Sequence, residues 1–226
     1  MLEVAGAVAA TLASYLVALK LYRAGRNHPL LLPVVTGTLG TVAMLWLAGV
    51  HVARYEQGAA VLRYLSQLAV VAMAVPLYTH LRRLLAAWRP VLSGLLVGCA
   101  LSVAGTYWVA GTLAVPPDVA ASLAPKAATM PIALETARAV GGWPVLAALA
   151  VMLSGVFGTL SIRPLLRAMG IQAEPVHAFT LGLVAHAIGI SKVLSELPRS
   201  LPYAVLGMCT NGLLTAWLVL LWPLRH

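Results

Sequence analysis

The final stretch of this chain, residues 201–224, reads LPYAVLGMCTNGLLTAWLVLLWPL and contains no charged residue. Residues 143–162, WPVLAALAVMLSGVFGTLSI, are equally bare. An apolar run of roughly 20 residues is as long as a helix that crosses a bilayer. The hydrocarbon core holds no water, so such a run must satisfy its backbone internally, and the α-helix does this. Composition extends the argument to the whole chain: of 226 residues, 61% are hydrophobic and 9% charged, with a mean hydropathy of +0.92. Soluble domains carry roughly 25% charged residues. The sequence therefore predicts an all-α integral membrane protein with seven or eight passages. No polar linker divides it, so 1–226 reads as one transmembrane domain.

The first span is expected at residues 4–21, closed by Lys20, Arg23 and Arg26. The start lacks a basic n-region and reads as a retained span, not a cleaved signal peptide. Asn27-His28-Pro29 turns the chain into a second span at 30–50, where Thr36, Gly37, Thr38, Gly40 and Thr41 allow close helix packing. Residues 51–58 read as a short polar loop. Residues 62–78 are apolar up to Pro76 and Tyr78, and 79–88 continue as a basic amphipathic piece. Further spans are expected at 90–113, 143–162, 175–192 and 201–224. Gly-rich faces at 36–41 and 154–158 suit packing within the protomer or between protomers of an oligomer. The net charge of +9 comes from short Lys/Arg clusters beside apolar runs. Such clusters record membrane orientation and lipid contact, not nucleic-acid binding. Segments 20–26 and 80–89 are both basic, and charge alone leaves the topology open. Trp88, Trp143 and Trp222 fit anchoring at the membrane interface.

One segment breaks the pattern. Leu123-Ala-Pro-Lys-Ala-Ala-Thr-Met-Pro-Ile-Ala-Leu-Glu135 places Lys126, Thr129 and Glu135 around two prolines inside an apolar context. Pro125 and Pro131 each remove a backbone donor, so a helix cannot run smoothly through both. An opened backbone survives in a membrane only where protein or a water-filled cavity satisfies it, and broken helices build the sites of many secondary transporters. Pro76 lies 55 residues before Pro131. With these two matched, Trp88 falls beside Trp143, which suggests repeat units at about 61–113 and 118–170. Each unit is a broken element followed by a full span. If both broken elements are re-entrant they open to opposite faces; if both cross, they run the same way.

Each candidate carries two readings. Lys126 either attracts a carboxylate at the break, helped by free N–H groups at a half-helix N-terminus, or pairs internally with Glu135 or snorkels to the headgroups. Thr129 hydrogen-bonds a substrate or caps the broken turn. Pro131 shapes the break. Glu135 is a proton-coupling carboxylate or the partner of Arg138. His186 is a proton relay or ligand contact, or a satisfied packing residue. His177 reads as interfacial. Asn211 sits mid-span, where an unpaired amide is costly, so it bonds another helix or lines the cavity. Pro76 and Tyr78 are counterparts of the second break or mark a simple kink. Cys99 and Cys209 read as small buried hydrophobes. No nucleophile elbow, P-loop, paired carboxylates or metal-ligand spacing appears, so neither an enzyme, a cofactor nor a metal is expected.

Ala124-Pro-Lys-Ala-Ala-Thr-Met-Pro-Ile-Ala133, Gly141-Gly142, His186-Ala-Ile-Gly189 and Asn211-Gly-Leu-Leu-Thr215 resemble the LrgB/CidB family in type and order. Asn27-His-Pro-Leu30 and Pro76-Leu-Tyr78 fit its first half. The resemblance covers essentially the whole chain. It implies a bacterial inner-membrane protein beside a smaller LrgA/CidA-type membrane partner, in a holin/antiholin-like system that affects murein hydrolase activity and lysis. Related carriers, among them the plastid glycolate/glycerate translocator and proteins tied to pyruvate uptake, imply short 2-oxo or 2-hydroxy acids as substrates. This chain departs from the family pattern at Ala127 and Met130, which lack hydroxyls, at Ile190-Ser191-Lys192 after the histidine, and at Gln67, where Gly-Pro is usual. The expectation is a secondary transporter of small monocarboxylates. Lys126 would hold the carboxylate, Thr129 and Asn211 would hydrogen-bond it, and His186 or Glu135 would carry a coupling proton. A holin-like pore or regulator of murein hydrolase export is the second reading, and a subunit that stabilises its partner the third.

Overall fold

The computed structural model describes residues 2–25, 31–72 and 74–222, so Asn27-His28-Pro29 and Arg225-His226 lie outside it. Every regular element among these residues is helical. The packing is that of a membrane protein: Leu101, Phe157 and Leu213 point outward, while Ala121, Ala128, Ala133 and Ala147 are fully buried. Lipid tails are as apolar as leucine, so large side chains gain nothing by turning inward, and small residues let helices approach. Five helices are long and apolar enough to cross a membrane, or six if one bent pair counts as a span. Seven or eight passages were expected from the sequence, and the described residues supply five or six helices of that kind.

The chain divides into two compact units, Met1–Ala74 and Val75–His226. In the first, α1 (Leu2–Ala24) packs on α2 (Pro33–Leu47), and α3 (Val52–Gly58) and α4 (Ala60–Ala72) follow. The segment read as a polar loop at 51–58 is thus mostly helical, turned 118° from α2. Gly37 and Gly40 meet Ala18, Tyr15 and Ser14, so this small-residue face packs inside the protomer. Thr11 and Tyr55 share a hydrogen bond of 2.7 Å between α1 and α3.

The second unit begins within α5 (Ala74–Thr79), which contains Pro76, and α6 (Leu81–Ala86) follows. Next come α7 (Trp88–Thr112), α8 (Pro117–Leu123), α9 (Met130–Ala139), α10 (Pro144–Ala168), α11 (Glu174–Glu196) and α12 (Leu201–Leu221). Helix α12 runs parallel to α7: Cys99 meets Asn211, Val103 clusters with Val219, and Tyr107 stacks on Trp222 with ring centroids 5.0 Å apart.

Residues 124–129 are non-helical, so the break falls between the two prolines as the sequence predicts. The element then returns on itself. The Trp143 amide donates to Ser122 Oγ at 2.6 Å, closing the chain just after α9 onto the end of α8. A Cβ at Gly142 would stand 2.8 Å from the Ser122 nitrogen, which is why this closure needs glycine. The non-helical stretch 124–129 and α9 thus form the two arms of a hairpin, closed at its base where Ala124 clusters with Val140 and turning at the start of α9.

A second hairpin occupies the place read as a straight span at 175–192. Inside α11, His186 has φ 39° and ψ −129°, outside helical space. A Cβ at Gly189 would lie 2.3 Å from the Leu181 carbonyl oxygen. In a continuous helix those residues are about 12 Å apart along the axis. The arm 187–196 therefore folds back beside the arm 174–185. The far end agrees: Glu196 reaches Arg163 near the C-terminal end of α10, the end from which α11 departs.

The two hairpins have opposite directions. The arm 174–185 runs with α7, since Gly94 meets Phe179 and Gly98 meets Leu183. It runs against α10, since Gly158 meets Val184 and Ala185 while Gly155 meets His186 and Ile188. Hence α7 and α10 are antiparallel, and each is a 25-residue helix followed by a hairpin. The face at 154–158 packs against α11, within the protomer.

Candidate functional site

The two hairpin tips meet at half-height of the long helices, and two residues hold them together. Asn211, at the midpoint of α12, is fully buried. Its Nδ2 donates to the Ala127 carbonyl of the first hairpin at 2.7 Å and to the Leu183 carbonyl beside the tip of the second at 3.0 Å. Its Oδ1 accepts from the Cys99 thiol at 2.7 Å and from Thr215 Oγ1 at 3.4 Å. The orientation is self-consistent, because the amine faces two acceptors and the oxygen two donors. Val151 does the same from α10. Its side chain clusters with Ala128 and Ala133, and its carbonyl accepts from His186 Nε2 at 3.0 Å. A carbonyl can only accept, so Nε2 carries the proton. Gly155 leaves room for the ring, since a Cβ there would stand 2.6 Å from Cε1.

Lys126 lies in the non-helical arm of the first hairpin and is partly buried. Its ammonium donates to the Ser102 carbonyl at 3.2 Å and to Thr106 Oγ1, both on α7. Those residues stand about 9–15 Å inside the C-terminal end of α7, at 1.5 Å per residue. Both of these acceptors are neutral. The ion pairs Glu135–Arg138, Arg163–Glu196 and Lys192–Glu196 do not reach Lys126. Of the readings set out for Lys126, the internal pair with Glu135 is not formed.

Thr129 is the N-cap residue of α9, with extended backbone and no side-chain cap bond. Pro131 occupies the first turn, where its missing N–H is not required. The amides of that turn are thus left without a side-chain cap at the tip. Helix α9 and the arm 187–196 both begin at the tips, so the positive ends of two helix dipoles converge there. An anion is the ligand such a geometry attracts.

Other candidates stand apart from the tips. Glu135 is exposed and bonds Arg138 at 2.6 Å. Tyr78 is 81% exposed on α5, and Pro76 lies in the same short helix. His177, read as interfacial, is buried, with Nε2 donating to the Ile171 carbonyl at 2.7 Å. Sequence reasoning missed Ser102, Thr106, Ser122 and Val151, and it read Cys99 as inert packing. Val151 acts through its backbone, which no sequence signal betrays. Ser122 and Gly142 were legible only as a small polar residue before a proline break and a glycine pair after it.

No group of three or more potential metal ligands occurs among the described residues. A family model described as the LrgB-like family matches residues 11–224. The uncharacterized protein YxaC of Bacillus subtilis is 32% identical over 92% of this chain and 93% of its own length. The holin-like protein CidB of Staphylococcus epidermidis is 23% identical over 85% of this chain and 84% of its own. The antiholin-like protein LrgB of Bacillus mycoides is 25% identical over 81% and 80%. No solved structure matches.

Proposed function

This chain belongs to the LrgB-like family of multi-pass bacterial membrane proteins, and from that premise we propose that it serves a holin/antiholin-like system through a defined molecular activity, the passage of small monocarboxylates. The relatives' names, holin-like and antiholin-like, favour the first half of this reading and are silent on any substrate. The second half rests on one observation. An ammonium lies about 9–15 Å inside one end of α7, held by neutral acceptors, in the same hairpin as the uncapped start of α9. A charge at that depth costs a few kcal/mol on insertion scales and marks an ion or substrate path.

In this reading Lys126 supplies the counter-charge for the carboxylate, with Thr129 and the first-turn amides of α9 as donors. Asn211 and Val151 set the separation of the tips. The donors of Asn211 are committed to backbone carbonyls, so it positions the site and does not hold the substrate. His186 Nε2 is likewise committed, which leaves Nδ1 for a ligand or a coupling proton. The exposed pair of Glu135 with Arg138 makes Glu135 the weaker proton carrier. Hairpins opening to opposite faces of the inner membrane, with sites at their tips, fit alternating access, as in carriers built from inverted repeats. Pyruvate, glycolate and similar 2-oxo or 2-hydroxy acids match one carboxylate beside a few hydrogen-bonding groups. An LrgA/CidA-type membrane protein is the partner this reading carries.

The alternative is a pore or regulator of murein hydrolase export, as the relatives' names suggest. Uptake of labelled pyruvate and glycolate into proteoliposomes separates the two, with and without the partner protein and under an imposed pH gradient. Saturable uptake abolished by Lys126→Ala supports the carrier. Size-graded leakage of unrelated solutes, or no uptake in any condition, refutes it and leaves the lysis-control reading.

A further inference from the structure

Away from the tips, a second set of charges stands where the arm 187–196 meets α10. Glu196 bridges two cations: its Oε2 accepts from Arg163 Nη1 and its Oε1 from Lys192 Nζ at 2.8 Å. The cations are the better shielded members, with side chains 18% and 14% exposed against 31% for the carboxylate. Arg167 and Glu174 lie within electrostatic reach of Arg163. The three bridged groups carry one net positive charge.

The guanidinium is under-used. It reaches Glu196 through one nitrogen, and its Nε is sealed from solvent with no acceptor. A guanidinium presents a planar fork that a carboxylate fills with two parallel bonds. The site is thus built for a carboxylate and holds one tethered to the protein, in a one-point contact. The tether is also the arm whose other end is His186, about 9 Å from Lys192 along the helix at 1.5 Å per residue.

We propose that Arg163 and Lys192 form a second anion subsite, occupied at rest by the protein's own Glu196, where a small monocarboxylate exchanges for Glu196 on its way to or from the hairpin tips. This rests on the carrier reading and adds a station to it. It also predicts that the arm is unpinned from α10 by the arriving substrate, because the incoming carboxylate takes over the two cations that Glu196 bridges. Glu196 is thus an internal competitor, and its loss opens the subsite.

Binding is measured without transport, on full-length protein carrying Lys126→Ala so that the tip site does not contribute. The readout is thermal stabilisation by pyruvate, with chloride at equal ionic strength as control. Glu196→Gln is expected to lower the pyruvate concentration for half-maximal stabilisation at least tenfold, and Arg163→Gln added to it is expected to erase the gain. Glu196→Asp, which keeps the competitor, is expected to behave as Glu196. If Glu196→Gln folds poorly, recovery of folded protein by added pyruvate but not chloride is the expected result. An unchanged midpoint, a gain that survives Arg163→Gln, or no recovery by pyruvate overturns the proposal. Failure of uptake by the wild-type chain would instead refute the carrier reading and leaves this binding result independent.

Discussion

Asn211 offers the sharpest test of how the site is held. Its buried amide gives two hydrogen bonds to backbone carbonyls on separate hairpins, at 2.7 and 3.0 Å, and receives one from a thiol at 2.7 Å. Asn211→Leu keeps the volume and removes all of these. Hydrogen bonds between membrane helices are worth about 0.6 kcal/mol on average and at most about 1.7, because the unfolded chain in the bilayer also finds partners. Losing the two carbonyl bonds should therefore cost about 1–3 kcal/mol. Asn211→Asp has the same shape yet turns acceptors toward acceptors at Ala127 and Leu183, so it should cost more than leucine. Reversible unfolding in bicelles or steric trapping measures both. The order wild type, Asn211→Leu, Asn211→Asp follows from donors aimed at two carbonyls. If leucine matched wild type, or aspartate were no worse than leucine, Asn211 would not be the clasp between the tips.

Four shorter predictions follow from named contacts. Gly189→Ala places a methyl 2.3 Å from the Leu181 carbonyl oxygen, a backbone atom that cannot step aside. It should cost at least about 1–3 kcal/mol and reduce folded yield, read by fluorescence-detected size exclusion. Gly182→Ala, 1.9 Å from the Ala204 carbonyl oxygen, should be as damaging in the same assay. Ser122→Ala removes the acceptor of the Trp143 amide and should destabilise by about 0.5–1.5 kcal/mol, with uptake impaired because the first hairpin loses its closure. Glu135→Gln breaks an exposed pair worth at most about 1 kcal/mol and should leave uptake and its pH-gradient dependence unchanged. A loss of gradient dependence would restore Glu135 as a proton carrier.

Sequence alone determined the solvent this protein folds in and the position of its first break. Long uncharged runs leave only helices, and Pro125 and Pro131 delete donors wherever the chain goes, so the opening at 124–129 is a local fact. Lys126 and Asn211 were legible for a similar reason, since a polar group at mid-span must answer for its cost whatever surrounds it. The second break was not local. Residues 174–196 contain proline only at the start, and their length and hydropathy pass as one span. The reversal at His186 needs a positive φ that costs a non-glycine residue about 1–3 kcal/mol. It persists because Gly155 on α10 admits the ring, Gly189 lets the returning arm lie under the Leu181 carbonyl, and Val151 accepts the Nε2 proton. The glycines at 182 and 189 were the available signal, and they read equally well as ordinary helix packing. Which carbonyls Asn211 clasps, and that no acidic group among the described residues pairs with Lys126 while Glu135 has Arg138, depended on where the hairpins return. Tertiary contacts decided those points, because hydrogen bonds across helices depend on register and approach, which no single helix encodes.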